Sequence, residues 1–134
     1  MATRARIDGW LGEFALHEQL ASHVAEVFGA LPPAVRDDLM NDPAFVIWDY
    51  EPGPGVVMHV PVRMPRGRGA AGRSVVLKRT MLLRPVAFVR WVIAHELAHA
   101  HLRNAGRWDG DDPEHAADAL AAGWGFPKPP REQW

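Results

Sequence analysis

The stretch "PVAFVRWVIAHELAHAHLR", residues 85–103, combines a helical pattern with an unusual set of polar residues. Its long run of apolar and helix-forming residues predicts an α-helix, and Pro85 stands where helices accept proline, in the first turn. Apolar residues point in most directions around this helix, so it is expected to be largely buried. Three histidines and one glutamate interrupt the apolar run, and they need a reason to lie inside a protein core.

His95, Glu96 and His99 form the pattern HExxH in this helix. A helix advances about 100° per residue, so the two imidazoles lie about 40° apart on one face. They can bind one metal ion together, and Glu96 flanks them where it can accept a proton from a metal-bound water. His101 is rotated by about 160° from His99 and is expected at the surface. The alternative to a metal site is a hydrogen-bonded polar cluster in the core.

A catalytic zinc ion generally has three protein ligands and one open position for water, so the two histidines need a third partner. The chain has no cysteine, which leaves histidine and carboxylate side chains as ligands. The extended pattern HExxHxxGxxH is absent, because Leu102 and Ala105 stand where its glycine and its third histidine would be.

The next candidates for the third ligand lie at the start of a second helix, predicted over 114–125. Glu114 and Asp118 share one face of it, whereas His115 is rotated by about 100°. Glu114 is the favoured ligand, and Asp118 would then orient a histidine ring by accepting its second N–H. His115 is the alternative ligand. A third alternative is that neither binds and the acidic residues only complement the helix dipole.

The rest of the chain predicts an α+β protein around these two helices. An amphipathic helix is expected over 13–30, and a short second helix within 31–43, starting at the prolines and ending before Pro43. Three short segments rich in β-branched residues predict strands, and Pro61 favours an edge position for the middle one. These strands are expected at 44–50, 55–64 and 74–79.

At 134 residues the chain has the length of one domain, 1–134. Its expected parts are N-terminal helices in 1–43, a small three-stranded sheet in 44–79, the two motif helices in 85–126 and a tail in 127–134. Trp91 is expected in the core or in the wall of a cleft, whereas the tail has no assigned role.

A loop between the last two predicted strands carries four arginines among glycines. It could clamp an acidic partner or nucleic acid, or cover a cleft as a lid. A solvated loop is favoured, because no aromatic residues are interleaved and the formal net charge of the chain is −1. The four residues are Arg63, Arg66, Arg68 and Arg73.

The chain shows no feature that directs it to a membrane. Its first twenty residues lack the continuous apolar region of a secretory signal, and no run approaches the roughly 18 apolar residues of a membrane span. The near-neutral charge provides no general attraction to nucleic acid or to anionic lipid. We therefore expect a cytoplasmic protein that binds neither membranes nor nucleic acid.

The segments "WVIAHELAHAHL" and "EHAADALAAGWGF" together resemble a minimal zinc metallopeptidase of the gluzincin type, in which HExxH is followed on the next helix by a glutamate in an E-x-x-x-D setting. The lead-in "SVVLKRTMLLRPVAFVRWVIAHELAH" is similar to ImmA/IrrE-like peptidase domains. The resemblance covers about residues 74–126. It implies a zincin-like fold and one Zn²⁺ per chain, held by His95, His99 and Glu114, with Glu96 as the catalytic base.

The resemblance also implies a place for the substrate. The strand before the motif helix would be an edge strand that pairs with an extended peptide. Its residues are Val75, Val76, Leu77 and Lys78. His59, on the neighbouring predicted strand, could donate a hydrogen bond to the oxyanion that develops at the attacked carbonyl. A single histidine on a strand is more often a half-exposed surface residue.

These expectations describe a zinc-dependent peptidase with a narrow protein or peptide substrate, which could also have a regulatory protein partner. The first alternative is a non-catalytic module that zinc stabilises and that binds peptides or regulates a partner. The second is a zinc hydrolase acting on non-peptide bonds, because HExxH specifies an activated water and not its target.

Overall fold

Five α-helices and a two-stranded sheet make up most of the regular structure in a computed structural model of the protein, which describes residues 2–51, 73–104 and 113–134. The expected α+β class is confirmed, and the described residues are mostly helical. No described helix is both long and apolar enough to cross a bilayer. In chain order the elements are α1 (Ala2–Leu11), α2 (Glu18–Ala30), α3 (Pro33–Met40), β1 (Val46–Tyr50), β2 (Ser74–Lys78), α4 (Val86–Asn104) and α5 (Pro113–Gly123).

The prediction of a helix over 13–30 is wrong at the N-terminal end, because α2 begins only at Glu18. A short 3-10 turn, Gly12–Phe14, follows α1 and ends before α2 begins. Ala15 has a φ of 52°, a left-handed conformation that cannot continue a right-handed helix. The first turn of α2 is then capped by His17, whose Nδ1 accepts a hydrogen bond from the backbone N–H of Gln19 at 3.2 Å.

The sheet of the described residues has two parallel strands, β1 and β2, with Ile47 opposite Val75. Alternate residues of β2 face the core, since Val75 and Leu77 are buried whereas Val76 is half-buried. The predicted strand at 55–64, which would have completed a three-stranded sheet, lies outside the described residues.

The predicted motif helix corresponds to α4, displaced by one residue at each end. It contacts α2, α3, α5 and β2, so it is surrounded by other elements along much of its length. This explains its apolar character in most directions. Its buried apolar residues are Val89, Trp91, Ile93, Ala94, Leu97, Ala98 and Ala100.

Helix α5 packs directly on α4, which brings the second group of candidate ligands to the first. Ala117 and Ala121 of α5 are fully buried, and their small side chains permit a close approach. The helix ends in a turn at Gly125, whose φ is 102°. The N–H of Phe126 donates to the carbonyl of Ala121 at 2.9 Å in this turn, as in many glycine-terminated helices.

The prediction of a solvated arginine loop is wrong for Arg73, the one of the four loop arginines that lies within the described residues. Its side chain is only 4% exposed. The guanidinium donates to Asp38 at 3.0 Å, to Asp42 at 2.7 Å and to the carbonyl of Ala100 in α4 at 3.1 Å. His101, expected at the surface, is also partly buried and lies 2.7 Å from the same Asp38 carboxylate. These polar contacts tie the C-terminal half of α4 to α3.

Candidate metal centre

Two histidine rings of α4 meet on one face of the helix. The ring centroids of His95 and His99 are 4.6 Å apart, with their planes at 84° to each other. Their Nε2 atoms are 3.1 Å apart. The side chains are 11% and 17% exposed, so both rings lie at the edge of the protein interior. The i, i+4 spacing in the sequence therefore places the two nitrogens side by side.

Glu114 reaches both rings from the first turn of α5. Its Oε1 lies 3.0 Å from Nε2 of His95, and its Oε2 lies 3.0 Å from Nε2 of His99. The Glu114 side chain is 70% exposed, so the cluster is open to solvent on this side. A small molecule or the end of a polymer could therefore approach the cluster at Glu114.

Asp118 lies one turn further along α5 and fixes the orientation of the His95 ring. Its Oδ1 is 2.8 Å from Nδ1 of His95 and also accepts the indole N–H of Trp91 at 3.1 Å. A proton on Nδ1, donated to Asp118, would leave the Nε2 lone pair of His95 available to a metal ion beside Glu114. The expected orienting role of Asp118 thus has a geometric basis in these contacts.

The donor atoms of His95, His99 and Glu114 fit a divalent metal such as zinc. The three atoms lie within 4.8 Å of one another, and the closest approaches between the side chains are 3.0 to 3.1 Å. Ligand atoms that bind zinc tetrahedrally at about 2.0 to 2.1 Å are about 3.3 to 3.4 Å apart, so small side-chain shifts would suffice. Among the described residues, this is the group of histidine and carboxylate side chains that could hold a metal ion.

Glu96 lies beside His95 and His99 in a half-buried position. Burial raises the pKa of the Glu96 carboxyl above its ordinary value, because desolvation disfavours the charged form. The nearby His95 and His99 act in the opposite direction, and the charge of Glu114 adds to the rise. A carboxyl group with a raised pKa is well suited to accept and return a proton.

The alternative ligand His115 is exposed and is not one of the three converging side chains. The proposed oxyanion donor His59 lies outside the described residues. The proposed substrate strand forms β2, which pairs with β1 along one edge. No other described strand pairs with its opposite edge. Lys78, the last residue of β2, is exposed.

Trp91 is the residue of this centre whose role the sequence did not reveal, although its burial was expected. It stands four residues before His95 and eight before His99, so all three share one face of α4. That spacing was a usable signal, since an indole N–H on the ligand face of a buried helix needs an acceptor.

A separate cavity of about 580 Å³ lies between the N-terminal helices and β1. It is lined mainly by aromatic and apolar side chains, including Trp10, Phe14, Phe45 and Trp48, and by none of the three candidate metal ligands. This cavity is therefore separate from the three candidate ligands.

Comparisons with protein-family models, with curated proteins and with solved structures found no match to this chain. The described residues define an α+β protein with a candidate metal centre of two histidines and one glutamate.

Proposed function

We propose that this protein is a zinc-dependent metallopeptidase with one Zn²⁺ per chain, held by His95, His99 and Glu114. The observation that carries the proposal is the convergence of these three side chains, with His95 oriented through Nδ1 by Asp118. A neutral imidazole held in this way presents a lone pair, and the carboxylate presents its oxygens, to the same point. Such a point suits a cation, and histidine with carboxylate is a common ligand set of catalytic zinc.

A bound zinc ion would lower the pKa of a water molecule and polarise a carbonyl group. The Glu96 carboxylate accepts a proton from the attacking water and then donates it to the nitrogen that leaves as an amine. Its partly dehydrated position supports this cycle, because the raised pKa of Glu96 brings the two protonation states closer in free energy at neutral pH.

A three-ligand site keeps a position for water, whereas a fourth protein ligand would close it. His115 is the side chain considered for that fourth position, and among the described residues the converging group consists of His95, His99 and Glu114 without it, which favours a catalytic site over a closed structural one. The 70% exposure of Glu114 supports the same conclusion, because the site is accessible from outside.

The substrate that we propose is an extended peptide segment of a protein. The residues Val75–Lys78 of β2 precede the motif helix. The peptide would pair with this strand through backbone hydrogen bonds, and side-chain pockets would provide the selectivity. A short strand of this kind suits a narrow range of substrates. One such substrate would be a regulatory partner protein with one accessible loop.

A peptide library tests the activity with Glu96→Gln as the matched control. The zinc-loaded protein is incubated with a library of mixed peptides, and new termini are identified by mass spectrometry. We expect cleavage by the wild type and none by Glu96→Gln, with equal zinc content in both. Cleavage by Glu96→Gln at the wild-type rate would contradict the role of Glu96. Hydrolysis confined to esters or other non-peptide substrates would replace the peptidase by a different zinc hydrolase.

A further inference from the structure

The tail after α5 packs back onto α4 beside the metal centre. The ring of Trp134 stacks on that of Trp91, with centroids 5.6 Å apart and planes at 29°. Phe88 contacts both rings, at 5.7 Å from Trp91 and 5.5 Å from Trp134. The indole N–H of Trp134 donates to the carbonyl of Pro129 within the tail at 2.9 Å, which fixes the direction of its ring.

Two cations of the tail hold the same aromatic pair. Nζ of Lys128 lies 5.5 Å from the ring centroids of both Trp91 and Trp134. The guanidinium carbon of Arg131 lies 5.1 Å from the ring of Trp134. Cations over indole faces are attracted by the negative charge of the ring face. The tail is therefore attached to Trp91 through stacking and cation–π contacts together.

Trp91 in turn touches two members of the centre. Its indole N–H donates to Oδ1 of Asp118, the same oxygen that lies 2.8 Å from Nδ1 of His95. Its ring centroid is 5.7 Å from that of His95. Trp91 is only 8% exposed, so its N–H depends on Asp118 for a partner. A continuous series of contacts thus leads from the tail through Trp91 and Asp118 to His95.

We propose that Trp91 and Trp134 are positioning residues of the metal centre. The tail holds the Trp91 ring in place, Trp91 holds the Asp118 carboxylate, and Asp118 holds His95 in the tautomer and orientation that binds metal. This inference rests on the proposed ligand set, and it adds a structural reason for the tail to cover this part of α4. Contacts outside the ligand sphere commonly set the orientation and basicity of a ligand histidine.

Zinc affinity tests the inference, measured by competition with a chromophoric chelator for the full chain. Trp91→Phe keeps an aromatic ring but loses the N–H, and we expect it to weaken zinc binding about twofold to tenfold, as for the loss of one hydrogen bond. Trp134→Ala is expected to weaken zinc binding in the same direction, and Trp134→Phe, which can still stack, to restore most of the affinity. The matched control is Trp124→Phe, because Trp124 is a buried core tryptophan outside the series of contacts.

Double variants distinguish positioning from a general loss of stability. In an Asp118→Ala background the contact that transmits the effect is missing, so adding Trp91→Phe or Trp134→Ala is expected to cause no further loss of zinc affinity. Equal losses with and without Asp118 would overturn the inference, as would unchanged affinity in both tryptophan single variants. A wild type that binds no zinc would overturn the proposed function as well, whereas a wild type that binds zinc with unaffected tryptophan variants would overturn the positioning role alone. Thermal unfolding of each zinc-free variant shows whether the fold is kept.

Discussion

Replacing Arg73 by methionine tests whether the buried arginine cluster holds α4 in place. The arginine side chain is 4% exposed, and its partners Asp38 and Asp42 are 25% and 23% exposed. The substitution keeps much of the volume but removes the guanidinium from two partly buried carboxylates and from the carbonyl of Ala100, while Asp38 keeps its contact with His101. Removing one partner of a buried ion pair costs roughly 3 to 5 kcal/mol. Because the carboxylates retain some solvent contact, we expect a loss near the lower end, about 3 kcal/mol.

The free energy of unfolding from urea titration at neutral pH measures this loss. A matched control is Arg6→Met, since Arg6 pairs with Asp37 at 3.2 Å and both side chains are about half exposed, at 49% and 51%. Exposed pairs contribute about 0 to 1 kcal/mol, so this variant should differ little from wild type. If Arg73→Met lost no more stability than Arg6→Met, the anchoring role of the cluster would be refuted.

Three further predictions concern the metal centre, acid stability and the turn after α5. Asp118→Ala should weaken zinc binding about 10- to 100-fold in chelator competition, because the His95 ring loses its orienting acceptor. Burial alone would raise the pKa of Asp38, but hydrogen bonds from Arg73 and a histidine outweigh it and lower the pKa below the ordinary 3.8. A carboxyl whose pKa is lowered by folding stabilises the fold at pH values above its unfolded pKa, and this contribution is lost as the pH falls through its folded pKa. Between about pH 5 and strongly acidic pH, the stability of Asp38→Asn should therefore fall by less than that of the wild type, as measured by urea titration. Gly125→Ala should cost about 1 kcal/mol or more in the same assay, because φ is 102°, whereas Gly123→Ala, which has open space and no positive φ, should not destabilise.

The parts of the fold that the sequence predicted are those with strong local patterns. The apolar run of α4 predicted a helix whose ends differ from the structure by one residue. The β-branched residues before the motif helix predicted a strand over 74–79, and β2 spans Ser74–Lys78. At the centre, the spacing of His95 and His99 predicted their shared face, since i, i+4 neighbours on a helix lie together whatever the rest of the chain does.

The features that the sequence did not predict depend on contacts between distant segments. Arg73 lies next to a glycine-rich stretch, which predicts a solvated side chain. It is buried instead, because Asp38 and Asp42, more than thirty residues earlier in the chain, supply its counter-charges. The break at Ala15 has no glycine or proline to mark it. The stacking of Trp134 on Trp91 joins residues 43 positions apart, and no local pattern encodes such a pair.

The choice between Glu114 and His115 was open in the sequence for a similar reason. Both stand in the first turn of α5, and only the rotation of that helix about its axis decides which side chain faces α4. The burial of Ala117 and Ala121 against α4 fixes this rotation. Glu114 then meets the two histidines, and His115 lies exposed beside it.

The zinc content of the purified protein, beside Glu114→Ala and His115→Ala, tests the central claim most directly. Elemental mass spectrometry gives the zinc per chain after incubation with a slight excess of zinc and removal of the unbound metal. We predict one zinc per chain in the wild type and in His115→Ala, and a sharp loss in Glu114→Ala. A wild type without zinc would contradict the metal centre. A loss of zinc in His115→Ala, with the full zinc content kept in Glu114→Ala, would contradict the assigned third ligand.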